Sequence, residues 1–367
     1  VIGGGQLARM MVPPAIELGI DLQVLAEVDG SSAAIAATAV GDYTDAATVL
    51  GFARGVDVIT FDHEHVPQPV LAALLDAGHL VRPGPGALAV AQDKILMRER
   101  LTALGAPVPD WAAVRDAGAL AAFLAEHGGR AVVKTPRGGY DGKGVRVVGS
   151  ASEADDWLAG AGPEGLLIEE LVPFRRELAQ LVARRPSGEV RAWPLVETVQ
   201  RDGVCAEVTA PAPEAGALTG AARALAERIA TELDVTGVLA VELFETPDGR
   251  LLVNELAMRP HNTGHWTIDG AVTSQFEQHL RAVLDLPLGD PSPTAPWSVM
   301  VNVLGGPADG AMPSRYPAAL ASDAGVKVHS YGKPSRPGRK VGHVTATGAA
   351  LDDTAARARA AAGFFQA

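Results

Sequence analysis

Cysteine is almost missing: Cys205 stands alone among 367 residues, so no intrachain disulfide and no Cys-rich zinc site can form. That usage fits a reducing, cytoplasmic compartment. Cations are also short. The 31 Lys and Arg against 43 Asp and Glu give a formal charge of −12, which argues against nucleic acid as a partner. No apolar run approaches the roughly 20 residues needed to cross a bilayer, and no basic stretch precedes one as in a signal peptide, so no membrane partner is expected. What is present suits a globular chain of two or three domains: 47% apolar and 20% charged residues. Val1 falls inside what reads as a strand, so a few residues are expected to precede it. The scarce cations cluster at Lys333–Lys340, as a phosphate site would require; a solvated basic loop is the alternative.

Apolar patterning separates three segments. Up to about Pro107, short apolar runs (Val1–Ile2, Leu22–Leu25, Val56–Phe61) alternate with helical stretches (Gln6–Leu18, Ala46–Ala53, Pro67–Ala77), which implies βαβ units and a parallel sheet. A further helix is expected over Ala87–Leu104. The middle segment is strand-rich: Ala131–Lys134, Val145–Val148, Leu166–Glu170, Glu177–Ala183, Val190–Val199 and Val204–Thr209. A helix over Gly220–Leu233 then leads to a hairpin of Val238–Phe244 and Leu251–Glu255 around Pro247-Asp-Gly249. The last segment carries strands at Val299–Leu304, Lys327–Tyr331 and Val341–Ala346, then an Ala-rich helix, Asp352–Ala362. The fold class is α/β plus α+β.

Gly3-Gly-Gly5-Gln-Leu-Ala8 follows a strand and opens a helix, with Glu27 and Asp29 near the distance of a ribose-binding acid. Alone it favours a nicotinamide dehydrogenase. Its chemistry is generic, however, because any helix N-terminus reached through such a turn attracts anions, and a second, separate phosphate apparatus follows. Lys134 ends a strand, and Arg137-Gly-Gly-Tyr-Asp-Gly-Lys-Gly144 comes next. Its glycines let the backbone approach phosphate oxygens, and Lys134 and Lys143 supply charge for a transferred phosphoryl group. A Walker loop is excluded, since Ser or Thr does not follow Lys143; an ordinary glycine hairpin is the bland alternative.

Glu242 and Glu255 sit in the two strands of the expected hairpin. If Glu245 pairs with Arg250, Glu242 faces Val253 and Glu255 becomes its diagonal neighbour, about 7–8 Å away at Cβ. Two carboxylates at that span suit magnesium, which takes one or two acids together with waters and nucleotide phosphates. Rim acids matched to Arg259 are the competing reading. Glu169, Glu170, Leu171 and Val172 end a buried strand and could offer backbone groups to an adenine, with Glu177 reaching a ribose.

The succession Lys94, Lys134, Gly139-Tyr-Asp-Gly-Lys-Gly144, Glu169–Val172, Glu242 and Asn254–Glu255 resembles the ATP-grasp superfamily over roughly the middle half of the chain. Gly3–Met10, Arg259–Thr267 and Tyr331–His343 extend the likeness to one subfamily, the 5-(carboxyamino)imidazole ribonucleotide synthases of bacterial and fungal purine synthesis. The resemblance implies an ATP-grasp fold with a Rossmann-like preATP-grasp domain at 1–107. The ATP-grasp domain would span 108–290, its lid about 108–172, and a small β-rich substrate-phosphate subdomain 291–367. It implies ATP contacts from Lys94, Lys134, Gly139, Tyr140, Asp141, Gly142, Lys143, Gly144, Val145, the hinge at 169–172, Glu177, Gln200, Asn254 and Glu255. Magnesium, with manganese able to stand in, would lie on Glu242 and Glu255. The subfamily's activity makes 5-aminoimidazole ribonucleotide, bicarbonate and ATP the small-molecule partners and suggests a homodimer. The departure Glu255-Leu-Ala-Met-Arg259, from the commoner Glu-x-Asn-x-Arg, leaves a third metal ligand open.

On that reading bicarbonate attacks the γ-phosphoryl of ATP, and the resulting carboxyphosphate gives its carboxyl unit to the ribonucleotide amine. Tyr140, Asp141 and Lys143 belong to a closing lid. Arg259 and Asn262 would hold bicarbonate, and His261 would orient it or relay a proton; a capped turn at Pro260–Asn262 is the alternative. Lys333, Arg336, Arg339 and Lys340 would cradle the 5′-phosphate, with Gly5 and Gln6 closing the pocket and Glu64 meeting the amine or ribose. A formate-using glycinamide ribonucleotide transformylase, a biotin carboxylase and a non-catalytic nucleotide-binding regulator are the rivals, besides the dehydrogenase.

Overall fold

The computed structural model describes residues 1–139, 143–310 and 312–366. At the N-terminus Ile2 bridges Leu25 on one side and Phe61 on the other, both in parallel. Val24–Ala26 continues to Ala37–Val40, and Val58–Ile59 to Leu80–Val81, again in parallel. The helices Gln6–Glu17, Ala46–Phe52 and Gln68–Asp76 cover this sheet. Buried Ile2, Leu25, Ile59, Phe61, Leu71 and Leu74 form its core, as the alternating apolar runs predict.

The helix expected over Ala87–Leu104 is two helices, Pro85–Gln92 and Lys94–Ala103. Asp93 breaks it: its backbone is extended, and its carboxylate accepts from the N–H groups of Ile95 at 3.0 Å and Leu96 at 3.1 Å. A side chain that caps a new helix satisfies donors a continuous helix would not leave open.

Two antiparallel sheets follow. The smaller runs Trp111–Val114, Leu166–Glu170, Ala131–Lys134, Val145–Val148 in spatial order. The larger, nine-stranded among the described residues, runs 251–257, 237–245, 176–184, 196–201, 204–210, 297–304, 340–348, 327–330, with 190–192 beside 176–184. Strands of the last sequence segment therefore extend the central sheet, through Glu207↔Val301 and its neighbours. The strand expected over Val190–Val199 is split into Val190–Ala192 and Val196–Arg201. Pro194, which has no N–H for a ladder, lies in the gap. One sheet face packs on the helix Leu218–Glu232 through Leu225, Ile229, Leu239 and Val241. The opposite face packs Ala179, Leu181 and Ala240 against Trp266.

The first glycine turn is filled by the protein itself. Asp62 Oδ1 accepts from the Ala8 N–H at 2.7 Å, at the N-terminus of the first helix. A Cβ on Gly5 would lie 2.0 Å from Asp62 Oδ2, so glycine is required there by close approach. Glu27, the expected ribose acid, accepts from the Gly4 N–H at 3.0 Å and meets His63 Nε2 at 3.1 Å. This agrees with setting aside the dinucleotide reading of the motif: Asp62 and Glu27 take backbone donors that a pyrophosphate would need, and His63 takes the acid a ribose would need. The His63 bond, then the Gly4 N–H, overcome burial and hold the Glu27 carboxyl down at about 2. A depressed carboxyl stabilises the fold above its unfolded value and loses that contribution as pH falls through the folded one. Glu27→Gln is therefore expected to melt lower than the parent at pH 7, with the gap closing between about pH 4.5 and 2; a constant gap across scanning-calorimetry runs in that window would remove Glu27 from the acid response.

Candidate active site

The hairpin of Gly237–Glu245 and Leu251–Ala257 carries the two acids, but not in the expected register. Glu245 pairs with Leu251 rather than Arg250, and Leu243, not Glu242, faces Val253. The pairing then shifts, so that Glu242 stands directly opposite Glu255 instead of diagonally. Asn254 is the extra residue of this bulge. Bulges change which side chains meet, and here one brings two carboxylates together on one face. Glu177 joins them, because Glu242 pairs with Ala179 and Glu177 lies two positions along the same strand. Burial, then the charges of Glu255 and Glu177, push the Glu242 carboxyl up to about 8, while Lys340 and Arg259 oppose the rise.

The segment after the second strand turns back over this face. His261 Nε2 lies 3.3 Å from Glu242 Oε1. Its Nδ1 is 2.9 Å from Thr263 Oγ1 and accepts from the Thr263 N–H, which leaves the ring proton on Nε2, facing the acid. The imidazole thus caps the turn Asn262–Gly264 as well as facing the cleft. Burial first, then Arg259 and Lys340, hold it well below the usual histidine range. Gln275, which no sequence signal marked, clamps the His261 backbone at 2.8 Å through both ends of its amide. Asn262 is 7% exposed, and its amide lies against the Cys205 thiol with no nitrogen or oxygen partner among the described residues. Arg259 Nε pairs with Glu64 at 2.7 Å, and the Met258 N–H donates to the same carboxylate at 2.8 Å. Glu64, expected to touch substrate, is thus buried and engaged with the chain that carries Arg259.

On the smaller sheet Lys134 meets Glu169 Oε2 at 2.6 Å and donates to Asn254 Oδ1 at 3.3 Å. Arg98, fully buried and unmarked by the motifs, takes the other Glu169 oxygen. Lys134 and Arg98 together keep Glu169 below the usual carboxyl value against its own burial. Lys94 Nζ donates to the Gly138 carbonyl at 2.8 Å, tying the first turn of its helix to the base of the glycine loop. Gly139 and Gly144 have φ of +77° and +71°, and a Cβ on Gly139 would meet the Lys143 carbonyl at 2.3 Å. Tyr140, Asp141 and Gly142 lie outside the described residues; Lys143 and Val145 are exposed beside them. Glu170 ends its strand, and Leu171 and Val172 continue beyond the ladder. Gln200 lies two positions beyond Thr198, the cross-strand partner of Glu177.

The basic stretch also reaches the cleft. Lys333 Nζ contacts Gln6 Oε1 at 2.8 Å, joining it to the first glycine turn. At its other end, Lys340 opens the strand Lys340–Gly348, and its charge bears on Glu242 and His261. Arg336 is exposed and Arg339 half-buried, with backbone bonds to Gly305 fixing both. One face of the larger sheet and its flanking loops therefore combine carboxylates fit for a hard cation with a neutral histidine and Lys340, and the smaller sheet brings Lys134 to Asn254 beside them. Among the described residues no group of three or more His, Cys, Asp or Glu could hold a metal alone. Two acids plus nucleotide oxygens match the donor set magnesium prefers.

Family models match the chain along its length: a ribonucleotide synthetase preATP-grasp domain at residues 1–92, an ATP-grasp domain at 99–276 and a phosphoribosylaminoimidazole carboxylase C-terminal domain at 298–357. The chain is 52% identical to the N5-carboxyaminoimidazole ribonucleotide synthase of Mycobacterium tuberculosis, over 99% of this chain and 86% of that protein. The Corynebacterium ammoniagenes enzyme of the same name is also 52% identical, over 99% and 91%. Among solved structures, the synthetase from Thermus thermophilus matches with a TM-score of 0.87 and 37% identity, covering 99% of this chain and 97% of its own. The Aspergillus clavatus enzyme in complex with ADP and 5-aminoimidazole ribonucleotide matches at 0.88 and 30%, with 99% and 97% covered. The chain belongs to the N5-carboxyaminoimidazole ribonucleotide synthase family of ATP-grasp enzymes.

Proposed function

We propose that this chain uses ATP and bicarbonate to carboxylate the exocyclic amine of 5-aminoimidazole ribonucleotide, releasing ADP and phosphate. The observation that carries the reading is the direct pairing of Glu242 with Glu255 beside the Lys134–Glu169 pair and the neutral His261. Family membership gives the substrates: relatives bear the synthase name, and one neighbour is described with ADP and 5-aminoimidazole ribonucleotide.

Bicarbonate is a weak electrophile, so one of its oxygens first attacks the γ-phosphoryl of ATP, and ADP leaves. The carboxyphosphate that forms carries a phosphate leaving group on its carbonyl. Attack by the amine, directly or on CO₂ set free within the site, forms the C–N bond and releases phosphate; the amine loses a proton. Phosphoryl transfer needs alignment and charge neutralisation. Lys94, Lys134 and Lys143 supply fixed positive charge, the hinge at Glu169–Val172 takes the adenine, Glu177 the ribose, and Gln200 and Asn254 further nucleotide contacts. Glu242 and Glu255 would hold magnesium, which when bound neutralises phosphate charge and aligns the triphosphate. Arg259 and the amide of Asn262 hold bicarbonate. The Nε2–H of His261 points towards Glu242 and can donate to an oxygen bound between them. Lys333, Arg336, Arg339 and Lys340 grip the 5′-phosphate. Gly5 and Gln6 close that pocket, while Glu64 acts by holding Arg259. Tyr140 and Asp141 belong to the lid.

The domain limits near 107 and 290 and a cytoplasmic location belong to the same reading, as does a homodimer. Ile16, Val28 and Ile35, exposed by 73%, 62% and 77%, give the first segment apolar surface for a second copy. Sedimentation velocity should give twice the chain mass; a monomer at micromolar concentration would end that part.

ADP release in bicarbonate buffer should rise strongly with 5-aminoimidazole ribonucleotide and not with formate or glycinamide ribonucleotide; equal response to all three would refute the substrate assignment. Glu255→Ala should abolish that turnover in a folded protein, and retained turnover would sink the metal assignment. Arg339→Ala should raise the ribonucleotide KM about tenfold, the loss of ~1–3 kcal/mol for one charge-assisted phosphate contact; an unchanged KM removes Arg339 from the cradle.

A further inference from the structure

Arg98 lies on the helix Lys94–Ala103, one turn after Lys94 and on the same face. It is fully buried, yet it belongs to no motif in the chain. Its Nε takes one oxygen of Glu169, whose other oxygen holds Lys134 Nζ at 2.6 Å. Its Nη2 donates at 2.7 Å to the carbonyl of Asn254, the extra residue of the bulge. An extra residue leaves backbone groups outside the ladder, and inside a protein such groups need partners. One guanidinium therefore serves two structures: the carboxylate that fixes a lysine, and the irregularity that sets Glu255 opposite Glu242.

We propose that Arg98 is a positioning residue for phosphoryl transfer, fixing Lys134 through Glu169 and Glu255 through the bulge carbonyl of Asn254. The inference rests on the roles given to Lys134 and Glu255 above. A merely structural salt bridge would join two elements. This one ties the helix bearing Lys94, the lid-side sheet bearing Lys134 and the strand bearing Glu255 to one planar group. Only a fork with donors pointing in several directions can do so, and lysine cannot replace it at both ends. Arg98 and Lys134 share the one carboxylate of Glu169, so these three groups carry net positive charge, and Arg98 Nη1 keeps a further donor without a partner among the described residues. Excess positive charge beside a lysine suits a site that receives polyphosphate.

Three variants separate the two arms. ATP KM is measured at saturating Mg²⁺, and the Mg²⁺ activation constant at saturating ATP, with melting curves as the fold check. Arg98→Met removes both arms and should raise both constants at least tenfold. Glu169→Gln breaks the lysine arm alone, so ATP KM rises and the Mg²⁺ constant stays within twofold. Arg98→Lys keeps a cation for Glu169 and loses the reach to Asn254, so the Mg²⁺ constant rises while ATP KM returns towards the parent value. Folded Arg98→Met with both constants within twofold of the parent would overturn the proposal. So would equal rises in both constants for Arg98→Lys and Glu169→Gln, the pattern of general loosening. If Arg98→Met does not fold, the contrast between the other two variants decides. Turnover surviving in Glu255→Ala would instead condemn the underlying metal reading, whereas a dead Glu255→Ala beside unaffected Arg98 variants condemns only this inference.

Discussion

Two carboxylates held directly opposite each other, Glu242 and Glu255, repel, and like charges at such a cross-strand position destabilise a sheet. The strands around them bury apolar residues on the other face and have no freedom to splay. Glu177 adds a third acid on the same side, and the response is visible in Glu242, whose carboxyl is pushed well up. The flanking cations oppose this, Lys340 from the first position of its strand and Arg259 from the segment just after the hairpin. They moderate the repulsion without closing the space between the acids. A hard divalent cation relieves it far better than a side chain can, since it brings two charges to both carboxylates at once. The capped turn at His261, the amide of Asn262 and, on the smaller sheet, Lys134 stand around these acids.

Rigidity is distributed unevenly around this centre. His261 is fixed by Gln275 and Thr263, Arg259 by Glu64, and Lys134 by Glu169. Each of these groups would otherwise have several rotamers, and each is held by a partner that does not itself face the reacting atoms. Precise support from behind is what lets an active site act without reorganising. Buried ion pairs are poor sources of net stability, because desolvation offsets most of their attraction. Their concentration here argues for geometry as the property they maintain. By contrast, Lys143 and Val145 stand exposed on the glycine loop, joined to the body through Lys94 and Gly138.

Much of this was legible before any coordinates. The alternating apolar runs foretold the parallel sheet of the first segment, Glu242 does stand against Glu255, Lys134 reaches Asn254 beside them, and the charge of Lys340 bears on Glu242. What escaped has physical causes. The register differs twice over: the turn is one residue longer than Glu245–Arg250 pairing assumes, and Asn254, with no glycine to mark it, adds a bulge that shifts the pairing once more. Arg98 sits in Met97-Arg-Glu-Arg100, a sequence that looks like a solvated helix face, and only its spacing from Lys94 pointed inward. Asp93 is a helix-capping residue type, but it lies inside an apolar pattern long enough to read as one helix. The glycine turn is set aside as a dinucleotide site because its chemistry is generic, but only the distant Asp62 reveals that the helix N-terminus is already taken.

That occupied helix end bears on where a phosphate can bind. An N-terminus attracts anions through unpaired N–H groups and the helix dipole, and Asp62 uses both. Burial raises its carboxyl, while the Ala8 N–H, His63, Arg259 and Lys333 pull it down. A phosphate approaching the turn would meet a carboxylate rather than open donors. The basic rim at Lys333–Lys340 offers the opposite field a short distance away, and Lys333 reaches back to Gln6 at the edge of the same turn. The first segment thus keeps the glycine geometry of an anion-binding turn while Asp62 occupies its donors, and the nearby positive charge lies instead at Lys333 and Lys340.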